Sequence, residues 1–312
     1  MQNIKTSDGL IDQHIHGAFG VDFCNCSVDE LIDLSLKLPL NGTTMFFPTL
    51  VTDTVENLGK QIQVIKKAKE KQPKNSAQLV GIHLEGPFIN SEKKGIHDKN
   101  CILKPSLDEF KKIEDDIIKI VTIAPELDDN QQLCKYLKSK GIKVSAGHTL
   151  STDISCANQV THLFNAMGTI DHKQASTATL ALTNDEIYTE IIADSIHVND
   201  EVLKLVFKIK PEDKVILISD AIPIAHSNLK EMVFCGEKIY LAENKATNKM
   251  GTIAGSAMLL NDIIKNLVSK NILRFETAIN MATKNLQNYH NLKNNAIITW
   301  DEELNIKEIK FL

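Results

Sequence analysis

Short runs rich in Val, Ile and Leu recur eight times along the chain, separated by longer stretches of helical patterning, and this alternation limits the fold more than any other feature. The spacing predicts strands over 10–16, 43–49, 78–85, 118–125, 142–148, 159–165, the middle of 186–197, and 215–221. The stretches between them, 27–38, 54–71, 106–116, 128–139 and 200–209, repeat apolar residues at helical intervals, as in Leu31, Leu34 and Leu38 or Val55, Leu58, Ile62 and Ile65. Ser27 and Thr54 are good N-cap types at two of the starts. Near-continuous apolar strands alternating with helices require a parallel sheet covered on both faces. Eight such units point to an α/β fold of the (β/α)8 TIM-barrel type. No phosphate-binding glycine fingerprint follows the first strand, which disfavours an open dinucleotide-binding sheet. The whole chain, 1–312, reads as one domain, with a barrel core of about 8–290 and a short C-terminal segment at 291–312.

Composition removes several function classes. A net charge of −5 with acids interspersed among the lysines argues against nucleic-acid binding. No apolar run approaches a membrane span, and the first residues lack the apolar core of a signal peptide. Six scattered cysteines suit reduced thiols in a cytoplasmic protein. Cys24 and Cys26 lack a second cysteine pair and read as small packing residues.

In a barrel of this type the active site sits at the C-terminal ends of the strands. The chain's histidines and carboxylates fall there: His14 and His16 on the first strand, His83 and Glu85 on the third, His148 on the fifth, His162 and Asn165 on the sixth, Asp194 and His197 on the seventh, and Asp220 on the eighth. Glu85, His148 and His162 form a three-ligand set that leaves a position open for water, the layout of a catalytic metal. His14 and His16 could hold a second ion, with Glu85 or Asp220 near both. Imidazole and carboxylate donors suit a divalent ion, Zn²⁺ first and Fe²⁺ or Mn²⁺ as alternatives. Such an ion favours hydrolysis, with Asp220 as general base and acid. The structural alternatives are two hydrogen-bonded core histidines at 14 and 16, a supporting role for His83, and a loop-capping role for Asp194. His226 and His290 read as remote from chemistry, and Ser256 as the N-cap of a helix over 257–267.

Several longer strings carry a family resemblance. HIHGAFGVDF, GIHLEGPFIN followed by KKGIH, VSAGHT, THLFNAM, IADSIHV, ISDA and GTIAGSAMLLNDIIKNLV resemble, in order and spacing, N-acetylglucosamine-6-phosphate deacetylases of the amidohydrolase superfamily. The resemblance implies metal ligation by Glu85, His148 and His162, a catalytic Asp220, and a His97 that polarises the acetyl carbonyl. It implies substrate binding by His97, Asn165, Ala166 and His197, and, through His14 and His16, the two-ion variant of the site. The implied reaction converts N-acetylglucosamine 6-phosphate to glucosamine 6-phosphate and acetate in amino-sugar catabolism, carried out by a homodimer. A near alternative is another N-acetylated sugar phosphate such as N-acetylgalactosamine 6-phosphate, and a further one is a non-catalytic sugar-phosphate binder. Two departures stand out. The family's H-R-x-P-G reads His172-Lys173-Gln174-Ala175-Ser176, so the phosphate-binding Arg position is Lys173, a point charge without a bidentate fork. Relatives also carry a small β domain, of which 291–312 reads as a shortened remnant.

Overall fold

The computed structural model describes residues 5–312. Eight parallel strands form the predicted barrel: β1 (Leu10–Ile15), β2 (Thr43–Val51), β3 (Ile82–Glu85), β4 (Ile118–Ile123), β5 (Lys143–Ala146), β6 (Gln159–Val160), β7 (Tyr188–Ile192) and β8 (Val215–Ile218). They are hydrogen-bonded in the order β8-β7-β6-β5-β4-β3-β2-β1. Just beyond β8 the ring closes on β1: the Asp220 amide donates to the His14 carbonyl (2.9 Å), and the His16 amide to the Ala221 carbonyl (2.8 Å). That closure sets the first and last strand ends side by side, which is where the site needs them.

The helices form where the caps and apolar stripes indicate. Ser27 and Glu30 make a reciprocal capping box on Val28–Lys37, which buries Leu31 and Leu34, and Thr54 accepts the Asn57 amide at the start of Val55–Lys71. The helix predicted over 106–116 is shorter, Leu107–Lys111. The run Glu114-Asp115-Asp116 would place three negative charges at its C-terminal end, against the helix dipole.

The barrel interior is layered. At the bottom Ile11, Met45, Phe47, Ile120 and Ile216 pack with Leu286 and Tyr289, which plug the barrel from the helix Lys284–His290. Each such fully buried side chain contributes roughly 1.5–3 kcal/mol, so the floor is a rigid base for what lies above it. The middle layer is polar, with Gln13, His83, Thr122, Ser145, Gln159, Thr161 and Glu190 all completely buried.

Besides a two-stranded ribbon, Gly17–Ala18 with Val21–Asp22, two smaller sheets flank the barrel. Lys5–Asp8 pairs antiparallel with Ala296–Trp300, which pairs with Ile306–Phe311, and Trp300 anchors this sheet through a 2.8 Å bond from its indole N–H to Ser7 Oγ. A four-stranded antiparallel sheet, Glu231–Phe234, Glu237–Ala242, Lys245–Thr247 and Ile253–Ser256, stands between β8 and the next helix. Its first two hairpins turn at Cys235-Gly236 and Glu243-Asn244, both pairs at positive φ as tight two-residue turns demand. Ser256 is therefore the end of a strand and not a helix N-cap. The helix begins at Leu260, and its first free amide, Leu259 N–H, is taken by the Asp262 carboxylate (3.0 Å).

Candidate active site

Residues without glycine's freedom turn through positive φ where strands spill over the rim, among them His148 (48°), His162 (29°), Ala166 (47°) and Asp220 (51°). Backbone held this way costs roughly 1–3 kcal/mol per residue and persists only where its surroundings over-determine it. Hydrogen bonds from neighbouring segments supply that constraint, including Asn90 N–H to the His148 carbonyl (2.9 Å) and Ser256 N–H to the Asp220 carbonyl (2.8 Å).

One buried carboxylate faces five imidazoles. Glu85 Oε1 lies 3.1 Å from His148 Nε2, 2.9 Å from His162 Nε2 and 3.4 Å from His14 Nε2, and Oε2 lies 3.3 Å from His16 Nε2 and 3.2 Å from His97 Nε2. Asp220 Oδ1 adds a second carboxylate, 3.1 Å from His16 Nε2 and 3.3 Å from His14 Nε2. The sequence-predicted residues Glu85, His148, His162, His14, His16, His97 and Asp220 thus meet in one buried cluster.

The far nitrogens of these rings assign their tautomers. His148 Nδ1 faces the Lys93 carbonyl (2.7 Å), His16 Nδ1 the Thr49 carbonyl (3.2 Å), and His14 Nδ1 the Glu190 carboxylate (3.1 Å). Carbonyls and carboxylates only accept, so these Nδ1 atoms carry protons and the neutral rings aim Nε2 lone pairs at Glu85. The Nε2 atoms of His148 and His162 approach within 3.1 Å. Ligands about 2.0–2.1 Å from a tetrahedral ion lie roughly 3.3 Å apart, so the donors are spaced for one. His14 Nε2 is buried and aligned for a hydrogen bond with no atom of the chain. A divalent cation therefore fits both the donor chemistry and the spacing, and Glu85–His148–His162 and His14–His16–Glu85 are two groups able to hold one. In the chain alone the carboxylates draw protons onto His14 and His16 instead. Burial disfavours charge on His16, but Asp220 and Glu85 outweigh it and push the ring up to about 9; His14 moves the same way under Glu85, Glu190 and Asp220. Burial opposes charge on Glu85 too, yet the facing histidines, His14 foremost, hold it well below the ordinary carboxylate range.

His97 is set the opposite way. Its Nδ1 accepts from the Thr52 amide (3.2 Å), which leaves the proton on Nε2, pointing into the site. Burial and the neighbouring His148 lower it to about 4, so it is a neutral donor. His83, by contrast, is spent: Nδ1 donates to the Gln13 carbonyl (3.2 Å) and Nε2 accepts from Thr122 Oγ1 (2.8 Å). A third metal-competent group, His14–His83–Glu190, therefore has no lone pair free on His83.

The cluster forms the floor of a cavity of about 480 Å³ whose walls include Asn165, Ala166, His197, Val51, Ile96 and Phe234. His197 is held by Asp194, which accepts from its Nδ1 (2.8 Å) and caps the amides of Ile196 and His197 (2.9 Å each). Asp194 is thus loop cap and orienting group at once. Burial lowers the proton affinity of His197, but Asp194 outweighs it and the net shift is upward.

No protein-family model matches the chain. Individual proteins do. It is 37% identical over 268 residues to an N-acetylglucosamine-6-phosphate deacetylase of Bacillus subtilis, covering 81% of this chain and 67% of that one. A second deacetylase of that name, from Haemophilus influenzae, is 30% identical over 294 residues, covering 90% and 76%. The chain belongs to the N-acetylglucosamine-6-phosphate deacetylase family. Among solved structures, the family member from Pasteurella multocida superposes with a TM-score of 0.88 at 27% identity, over 98% of this chain and 85% of that one.

Within this deacetylase-family chain, Lys173 stands apart from the other predicted site residues. It lies on an exposed loop whose amide at 173 is tied to Asp171 (2.6 Å), and it is not among the residues lining the cavity. His226 pairs with Asp262 (2.6 Å) away from that lining, as expected. Sequence reasoning missed three contributors: Phe234, whose ring sits 5.8 Å from that of His16, the Lys93 carbonyl, and Glu190. Of these only Glu190 left a signal, a lone carboxylate inside the apolar strand Tyr188–Ile192.

Proposed function

We propose that the chain hydrolyses the acetamido bond of N-acetylglucosamine 6-phosphate, releasing acetate and glucosamine 6-phosphate. The observation that carries this reading is the pairing, above one buried Glu85–His148–His162 set, of a carboxylate at Asp220 with a neutral N–H donor at His97. A divalent cation at that set would supply Lewis-acid polarisation and acidify water. Asp220 takes the proton of the attacking water and returns it to the departing nitrogen. His97 donates from Nε2 to the carbonyl oxygen as charge builds on it. His197, its ring oriented by Asp194, meets the sugar or its phosphate, Asn165 and Ala166 help to seat the sugar, and Val51, Ile96 and Phe234 offer an apolar wall to the acetyl methyl.

The remaining particulars are part of the same proposal. Zinc as the ion is supported by the imidazole–carboxylate donor set. A cytoplasmic setting is supported by six free cysteines. No helix among the described residues is long and apolar enough to cross a membrane. A homodimer, a phosphate role for Lys173 and a place in amino-sugar breakdown rest on the family resemblance.

The test is acetate release by the zinc-loaded protein from N-acetylglucosamine 6-phosphate, its galactosamine isomer and unphosphorylated N-acetylglucosamine. N-acetylglucosamine 6-phosphate should turn over fastest. Binding of all three without acetate release would overturn the enzymatic reading.

A further inference from the structure

Glu190 is a charged group in a place that ordinarily excludes charge. It is completely buried at mid-barrel, between Thr189 and Ile191 on β7, and the hydrolytic chemistry above does not use it. A buried carboxylate is costly unless every lone pair finds a donor. Here the donors are built in: Oε1 accepts from Gln13 Nε2 (2.6 Å) and Gln159 Nε2 (2.9 Å), and Oε2 from His14 Nδ1 (3.1 Å).

The direction of each bond is determined by the next. His290 Nε2 donates to Gln13 Oε1 (2.7 Å), so Gln13 can turn only its amide NH2 toward Glu190. Gln159 accepts from Gln13 at its own Oε1 (3.3 Å) and shares its NH2 between Glu190 and Ser145 Oγ (3.2 Å). With both amides donating, the carboxylate can only accept from His14. The Nδ1 proton of His14 is thereby fixed, and its Nε2 is turned to the gap between Glu85 (3.4 Å) and Asp220 (3.3 Å).

We propose that Glu190 is a positioning residue that makes His14 a metal ligand, and so sets whether a second ion joins the one at Glu85, His148 and His162. The inference rests on the reading of the cluster as a metal centre. The second ion would lie among His14, His16, Glu85 and Asp220, where His16 is already in the matching tautomer through the Thr49 carbonyl.

Glu190→Gln is the discriminating change because it alters charge and one donor while conserving shape. The introduced side-chain amide must keep its oxygen toward the NH2 groups of Gln13 and Gln159, since turning it would set three amide donors against one another. Its own NH2 then faces His14 Nδ1, which must accept, and the ring proton moves to Nε2. His14 becomes a donor and ceases to be a ligand.

The experiment strips the protein with a chelator, reloads it with Zn²⁺ and counts metal per chain, without sugar. Competition titration then reads the affinity of each ion. Wild type should bind two ions. E190Q should keep the first and bind the second at least tenfold more weakly, with unchanged circular dichroism. Two ions of wild-type affinity in E190Q, or loss of both from a folded variant, would overturn the proposal. Should E190Q not fold, ¹⁵N-histidine correlation spectra of zinc-loaded wild type decide: a proton on His14 Nδ1 with two ions bound supports it, and a proton on Nε2 or a single ion overturns it. A fully loaded enzyme that releases no acetate would sink the deacetylase reading and leave this one standing.

Discussion

Replacing Asp220 by Asn separates chemistry from architecture. The residue turns at φ 51°, a conformation asparagine adopts as readily as aspartate, and its backbone is held by the bonds to His14 and Ser256. The variant should therefore fold normally. It should also retain the ion at Glu85, His148 and His162, none of which depends on Asp220 for its orientation. What it loses is a group that can take a proton from water and hand it to the leaving nitrogen. General acid–base groups are worth about 10²–10⁴ in rate, or roughly 3–5 kcal/mol of barrier. Acetate release should fall by that factor, with the ion at Glu85, His148 and His162 retained and the melting temperature unchanged. Asp220→Ala is the control: turnover falls equally, and stability drops by about 1 kcal/mol more because alanine gains nothing local to offset the left-handed backbone. An Asn variant retaining more than a tenth of wild-type activity would remove Asp220 from proton transfer and refute the mechanism.

Acid should destabilise the fold through its neutral histidines. Burial lowers His290 and His83 to about 3, so below pH 6.5 the unfolded chain takes up protons that the folded chain refuses. The stability tied to these neutral rings is present above about pH 6.5 and drains away as pH falls toward about 3. At pH 5 the loss is roughly 2 kcal/mol per ring. Urea midpoints of chelator-treated protein at pH 7 and pH 5 should show it, and His290→Gln should remove about half; equal slopes in wild type and variant would contradict the assignment. Gly86→Ala tests the support beneath His97. Gly86 sits at φ +100°, and a Cβ there would stand 2.1 Å from Thr52 Oγ1, the hydroxyl that itself contacts His97 Nδ1 (2.8 Å). A stability loss of about 2–4 kcal/mol with lowered kcat is expected by thermal unfolding and acetate assay, and a variant as stable as wild type would show that Thr52 is free to move.

Much of the centre is legible in the amino-acid sequence. Apolar periodicity marks all eight barrel strands, because strand and helix repeats are local properties of the chain. Glu85, His148, His162 and Asp220 are readable as a cluster because polar side chains at successive strand ends share one rim. The sheet over 231–256 escaped notice, since Glu231–Phe234 and Glu237–Ala242 are short and half exposed and carry little apolar contrast. Phe234 was missed with it. Lys173 was placed by motif position alone, and a motif does not say which way an exposed loop carries its side chain.

The amino-acid sequence by itself determined the element order, the barrel and the types of donor at its rim, because these follow from short-range patterning and chain topology. Only the tertiary structure decided which nitrogen of each histidine is free. His14 takes its proton position from Glu190, 176 residues away, and His97 takes the opposite one from the Thr52 amide, 45 residues away. Hydrogen-bond partners so remote in sequence are fixed only when the ring of strands closes, and on them depends which imidazoles can hold an ion and which one donates a proton bond.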